Sequence, residues 1–142
     1  MPAPVTRDQE LELHIDSLAY GGNGVARLDG FVVFVRRGLP GDTVRARVTK
    51  VQRRHAEAIA TDVVERGPVR VDAPCAHYPA CGGCRFQDLD YAAQLAAKHA
   101  WVGDSLQRIA GIAEPPLEPI VPAADAFHYR NKMEYSFTQT RP

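Results

Sequence analysis

Three cysteines, Cys75, Cys81 and Cys84, fall within ten residues in the string CAHYPACGGC, and the chain has no others. Thiolates are soft ligands that suit zinc or an iron–sulfur cluster. Their spacing is C-x5-C-x2-C, and Gly82-Gly83 between the last two lets backbone N–H groups approach sulfur, which tunes a bound cluster. Zinc and a 4Fe–4S cluster both call for four ligands, so three thiols leave one position to fill. His77 would complete a Cys3His zinc site; a fourth cysteine outside this sequence would complete a cluster. Spacing leaves zinc and cluster equally open, with three idle thiols as the alternative to both. An odd cysteine count also makes a poor disulfide framework and fits a reducing compartment.

The second chemical signal is charge. The 142-residue chain has 17 Lys/Arg and 17 Asp/Glu, so its formal net charge is zero. From Arg27 to Arg54, however, eight basic residues (Arg27, Arg36, Arg37, Arg45, Arg47, Lys50, Arg53 and Arg54) face only Asp29 and Asp42, a local charge of +6. Such a stretch is either a polyanion site or a solvated sheet face. The aromatics available beside it are Tyr20, Phe31 and Phe34. Phe31 and Phe34 read as core; Tyr20, next to glycines, reads equally as a stacking platform or a surface residue.

These groups need elements to hold them. Residues 1–9 read as a flexible tail. Leu11, Leu13 and Ile15 alternate with charged and polar neighbours, as in a half-buried strand. Gly21-Gly22-Asn23-Gly24 is a loop, residues 25–28 and 31–35 are strands, and Asp29-Gly30 between them is a two-residue hairpin turn. Leu39-Pro40-Gly41-Asp42 is a turn. Val44, Ala46 and Val48 alternate with Arg45, Arg47 and Thr49, and residues 56–64 form a fifth strand. Five short strands over residues 10–66, with tight turns, predict a small OB-like barrel. The cysteine loop follows, and then a helix capped by Asp90 with apolar positions at Tyr91, Leu95, Val102, Leu106 and Ile109, stopped at Gly111. Gly103 inside it signals close packing or a tolerated defect. Residues 67–112 thus form a cluster loop plus helix. Residues 113–142 begin with a Pro-rich connector and end in a strand, in which Met133, Tyr135 and Phe137 alternate with polar residues. The fold class expected is a mainly β N-terminal barrel followed by an α+β segment with one long helix.

Charged residues make up 24% and hydrophobic residues 45%, an ordinary balance for a packed domain. No apolar run reaches membrane-spanning length, and the N-terminus lacks a signal-peptide layout. The expectation is a cytoplasmic monomer with no membrane partner.

Several strings together resemble the RNA uracil-C5 methyltransferases that carry an N-terminal TRAM domain and a 4Fe–4S cluster. They are Tyr20-Gly-Gly-Asn-Gly-Val-Ala-Arg27, Phe34-Val35 with Leu39-Pro-Gly-Asp42, Cys75-x5-Cys81-Gly-Gly-Cys84, Tyr91-x2-Gln94-Leu95 with Lys98, and Tyr129-Arg-Asn-Lys-Met133. They occur in the family's order and cover nearly the whole chain. The resemblance implies that the barrel is a TRAM domain gripping RNA, with 23S rRNA as the expected partner. It implies that Cys75, Cys81 and Cys84 hold three corners of a 4Fe–4S cluster whose fourth cysteine lies downstream. RNA contacts are expected at Arg36, Arg37, Arg45, Arg47, Lys50, Arg53, Arg54, Arg130 and Lys132. In this family S-adenosylmethionine, the catalytic cysteine and the general base belong to a C-terminal Rossmann-like domain, which this sequence does not include. Uracil C5 alkylation needs a free thiolate to add at C6, and thiols committed to a cluster cannot serve. The chain is therefore read as an N-terminal portion of such an enzyme, inactive alone.

Two competing readings differ in class. One is a stand-alone RNA-binding OB module with a structural zinc knuckle. The other is an iron–sulfur methylthiotransferase of the radical type, whose cysteine spacing and barrel position both differ from those here.

Overall fold

A computed structural model describes residues 3–132 and Glu134. Six strands form one sheet: β1 (Glu10–His14), β2 (Ser17–Leu18), β3 (Gly24–Leu28), β4 (Phe31–Arg36), β5 (Thr43–Val51) and β6 (His55–Glu65). One helix, α1 (Tyr91–Arg108), follows. The fold is mainly β with an OB-like barrel, as the alternation predicted.

The strand order is β1-β5-β6-β4-β3-β2, with every pairing antiparallel except β4 with β6. The first and last members of that order are consecutive in sequence. Ile15 N donates to Asp42 O at 2.9 Å, beside β5, and Asp16 N donates to Val25 O at 2.8 Å, on β3. β1 and β2 are thus two halves of one bent strand, and the bend closes the sheet on itself. Closure leaves no long unpaired edge. The bend needs room. Ile15 is fully buried, and a Cβ on Gly24 or Gly38 would lie 2.8 Å from its side chain, so only glycine fits at either position.

The barrel interior is small and β-branched. Val33, Val35, Val44, Ala46, Val48, Ala56 and Ala58 meet Leu13, Ile15 and Ala26 at its centre. Each fully buried Val or Ile contributes about 1.5–3 kcal/mol. Alternation along β4, β5 and β6 sends the intervening residues outward. Asp29 and Gly30 take positive φ (49° and 84°) and join the Leu28–Phe31 pair in a tight hairpin. Gly41, at φ 85°, completes the Leu39–Asp42 turn behind Pro40, with Asp42 N donating to Leu39 O at 3.0 Å.

Two expectations are corrected, and a third falls mostly outside the described residues. Residues 1–9 are not a flexible tail throughout: Val5 is buried in the core, and Val48 exchanges backbone bonds with Asp8 N and Gln9 O. The tail thus continues the β1 pairing along β5 beyond Glu10–Arg47. Phe34 is not core. It lies between Val33 and Val35, both buried, so alternation puts it on the outer face, where it meets His55 edge-on at 5.3 Å. Phe31 does pack against the core. Finally, residues 127–132 contain no strand; Met133, Tyr135 and Phe137, on which that strand rested, lie outside the described residues.

Helix α1 begins where Asp90 accepts from Ala93 N at 3.2 Å and ends at Arg108, capped by Ile109 N donating to Ser105 O, three residues before the expected stop at Gly111, which takes φ 72°. It has no fully buried residue, and Ile109 is 86% exposed. Its expected apolar stripe is therefore only partly covered. The 113–123 connector runs back along it: Ala123 N donates to Tyr91 Oη at 2.8 Å, and Leu117 packs so closely on Gly103 that a Cβ there would sit 3.2 Å away. Close packing is thus what Gly103 serves. No helix is long and apolar enough among the described residues to cross a membrane.

Candidate nucleic-acid interface and cysteine loop

The cysteine loop grows from a short base. Val71 N donates to Asp88 O at 2.8 Å and Asp90 N donates to Val69 O at 2.9 Å, so residues 69–71 and 88–90 pair and the segment between them projects. Cys75, Cys81 and Cys84 are all exposed on it. Gln87 ties its two arms together: its Oε1 accepts from Cys75 N at 2.9 Å, and its Nε2 donates to Cys84 Sγ at 3.4 Å. His77 contributes its carbonyl, which accepts from Cys81 N at 2.9 Å. Among the described residues no three His, Cys, Asp or Glu side chains are grouped to hold one metal ion. The donor set nonetheless suits a thiolate-ligated group. Three accessible soft donors share one loop, and one sulfur already accepts an amide N–H of the kind that surrounds cluster thiolates.

A charged clamp fastens this loop to the barrel. Asp42 is fully buried. Its carboxylate accepts from Leu39 N at 2.8 Å, from Gly67 N at 2.9 Å, and from Arg70 through Nε (3.0 Å) and Nη2 (2.7 Å). Arg70 also donates from Nη2 to Arg37 O at 2.9 Å and from Nη1 to the Asp88 carboxylate. Tyr78 Oη, inside the cysteine loop, donates to the other Asp88 oxygen at 2.5 Å. Asp42 of the barrel turn and Asp88 of the loop base thus meet on one guanidinium, whose planar fork reaches several acceptors at once, while Gly67 joins through Asp42 and Tyr78 through Asp88. Burial pulls the Arg70 pKa down, but its bonds to and the charges of Asp42 and Asp88 outweigh burial and hold it above its ordinary value. Burial and the hydrogen bond to Asp88 push the Tyr78 phenol well above its ordinary value of 10.0. None of these four side chains was a sequence candidate. Arg70 is 28 residues from Asp42 and 18 from Asp88, and no local pattern links them.

The basic residues are less concentrated than the sequence implied. Arg45 and Arg47 do face outward on β5, but register sets them opposite Glu12 and Glu10 on β1, and Arg45 also opposite Asp62 on β6. Lys50 pairs with Glu57 at 3.6 Å and Arg27 with Asp16 at 3.1 Å. Arg36 ends β4, Arg37 takes φ 69° and gives its carbonyl to Arg70, and Arg53 and Arg54 stand exposed at the β5–β6 turn. The +6 stretch is therefore interleaved with acids from neighbouring strands, which a linear count cannot see. Arg130 lies elsewhere. It lines a cleft of about 670 Å³ with Cys84, Lys98 and Tyr129, between the cysteine loop and the start of α1. Lys132 pairs with Glu134 at 3.1 Å.

A further aromatic group lies across the seam between barrel and helix. Trp101 of α1 donates from Nε1 to Leu18 O at 3.3 Å and meets Tyr20 and Phe86 edge-on, at 5.8 and 6.3 Å.

Residues 4–61 match the TRAM domain model, a span that takes in Val5, strands β1 to β5 and most of β6 of the closed barrel. Residues 4–61 are thus a TRAM domain, and the chain as a whole is similar to proteins named RNA methyltransferases. It is 46% identical over 128 residues to an uncharacterized RNA methyltransferase of Nitratidesulfovibrio vulgaris, an alignment covering 90% of this chain and 27% of that protein. Similar relatives occur in Gloeobacter violaceus (40% identity, 94% of this chain, 30% of that protein) and Aquifex aeolicus (39%, 95% and 32%). The TRAM-domain chain thus spans about 30% of the length of these relatives. The solution structure of a conserved protein of Methanococcus maripaludis is similar at 38% identity, over 42% of this chain and 86% of that one, with a TM-score of 0.41.

Proposed function

We propose that the chain is the RNA-binding and iron–sulfur portion of an S-adenosylmethionine-dependent methyltransferase acting on uracil C5 in 23S rRNA. The observation that carries this reading is the fastening of a three-thiol loop onto a TRAM barrel. Arg70 joins Asp42 of the barrel to Asp88 at the loop base, and Asp88 in turn holds Tyr78 of the loop, so one charged network ties loop to barrel. The TRAM match and relatives named RNA methyltransferase support the RNA and methyl-transfer parts of the reading.

Cys75, Cys81 and Cys84 would hold a 4Fe–4S cluster, with the fourth thiolate supplied from outside the sequence described here. The cluster's role would be structural, fixing a loop that has little apolar burial of its own. Gln87 sets the approach of Cys75 and Cys84 and tempers the charge on the Cys84 sulfur. Thiols held this way are withdrawn from nucleophilic addition to a pyrimidine, so methyl transfer requires a cysteine beyond this chain. Among the described residues no parallel sheet with helices on both faces is present to bind the methyl donor.

Anaerobic purification of a longer protein that supplies the fourth thiolate, followed by iron, sulfide and zinc analysis, tests the cluster. Bound iron with matching sulfide and broad visible absorbance is expected, lost on substitution of any one cysteine by serine. One equivalent of zinc without iron, or three freely titrating thiols, would refute it.

A further inference from the structure

Tyr20 is 83% exposed, yet the structure holds it in place. The loop beneath it is tight: Ala19 N donates to Asn23 O at 2.8 Å and Gly22 N donates to Ala19 O at 2.9 Å. Gly21 and Gly22 take φ of 86° and 92°, which other residues rarely adopt. Gly22 is pressed so closely under Phe86 that a Cβ would come within 2.7 Å of the ring. Trp101, itself pinned to Leu18 O, backs Tyr20 at 5.8 Å with the rings inclined by 68°. An inclined contact occupies only part of the tyrosine and leaves the rest in water. Ordering an aromatic ring there gains little burial in the free protein, so its position calls for an external partner.

The surroundings favour a polyanion bearing flat rings. Arg85 borders Gly22, its Cβ 3.8 Å from the position a Cβ would take there. Lys98 precedes Trp101 by three residues on α1, and so lies on the same side of the helix. Asp104 is on that side too, but it is paired with Arg108 at 4.0 Å. Aromatic rings beside cations take unpaired bases by stacking and their phosphates by charge, with little regard to sequence.

We infer that Tyr20, backed by Trp101 and Phe86, is a stacking platform for an unpaired RNA base at the seam between the barrel and α1. The inference rests on the proposed RNA partner, and stacking can be told apart from general RNA binding by salt. A phosphate contact contributes to the salt slope of binding; a stacked base does not.

The test is fluorescence anisotropy with a labelled single-stranded oligouridylate at several salt concentrations. Tyr20→Leu is expected to bind about tenfold more weakly with its salt slope unchanged. Tyr20→Trp should retain affinity, and Lys98→Ala should lower the slope by about one. Trp101, the single tryptophan, gives a second readout in the unmodified chain. Its emission should change as RNA saturates the protein, and this change should vanish in Tyr20→Leu. Normal RNA binding by Tyr20→Leu overturns the platform and leaves the RNA reading intact. No RNA binding by the unmodified chain overturns both. Should Tyr20→Leu not fold, an unchanged Trp101 emission at saturating RNA in the unmodified chain is the refuting result.

Discussion

At the scale of single residues, Asp42 has more depending on it than its place in a turn suggests. Its carboxylate is fully buried and serves two backbone amides and Arg70 together. Removing one member of such a pair strands a charge away from water. Asp42→Ala is expected to destabilise the fold by about 3–5 kcal/mol, read as a lower urea midpoint at unchanged slope. A loss within the range of ordinary surface substitutions would mean that Arg70 finds full compensation in Asp88. Tyr78 carries a pH signature. Burial and its bond to Asp88 raise its pKa, so folding favours the neutral phenol. Its contribution is complete below the ordinary value of 10.0 and is lost as pH climbs above it. Thermal midpoints should therefore fall more steeply above pH 10 in the native chain than in Tyr78→Phe. Parallel alkaline limbs would show that the phenol is not the group responsible.

The individual strands explain why the basic face is muted. Side chains on one face of adjacent strands oppose one another at close range, and the register places Glu10 and Glu12 against Arg47 and Arg45. Arg45→Ala with Arg47→Ala should weaken RNA binding while leaving stability nearly unchanged, because both side chains are exposed. Glu10→Gln with Glu12→Gln should strengthen binding and steepen its salt dependence, since the β1 acids opposite the arginines would be gone and only Asp62 would remain against Arg45. If RNA affinity did not respond to either pair, β5 would not be part of the interface.

Across the whole molecule, burial is divided unequally. The barrel holds nearly all the fully buried side chains, while α1 has none. Exchange protection tracks such differences. Amides of β4, β5 and β6 should exchange only through global unfolding. Those of α1 beyond Trp101 should exchange much faster, through local opening. Equal protection in α1 and the barrel would mean that the helix is buried against a surface not seen here, such as a second copy.

The barrel was legible because period-two alternation and turn chemistry are local: Val44, Ala46 and Val48 point inward whatever lies across from them, and Asp29-Gly30 turns wherever two strands flank it. The helix start at Asp90 was legible for the same reason, while the helix ends at Arg108, short of the expected stop at Gly111. The cysteine spacing likewise declares a soft donor set without any fold. What no local pattern carries is which residues meet. Phe34 was misplaced because an apolar run shows no face until its neighbours are known. The acids opposite Arg45 and Arg47 come from a strand some thirty-five residues earlier. The Asp42–Arg70–Asp88–Tyr78 clamp and the Tyr20–Trp101–Phe86 seam exist only once barrel closure has brought distant segments together, because charge pairing and ring contact depend on separation in space rather than along the chain.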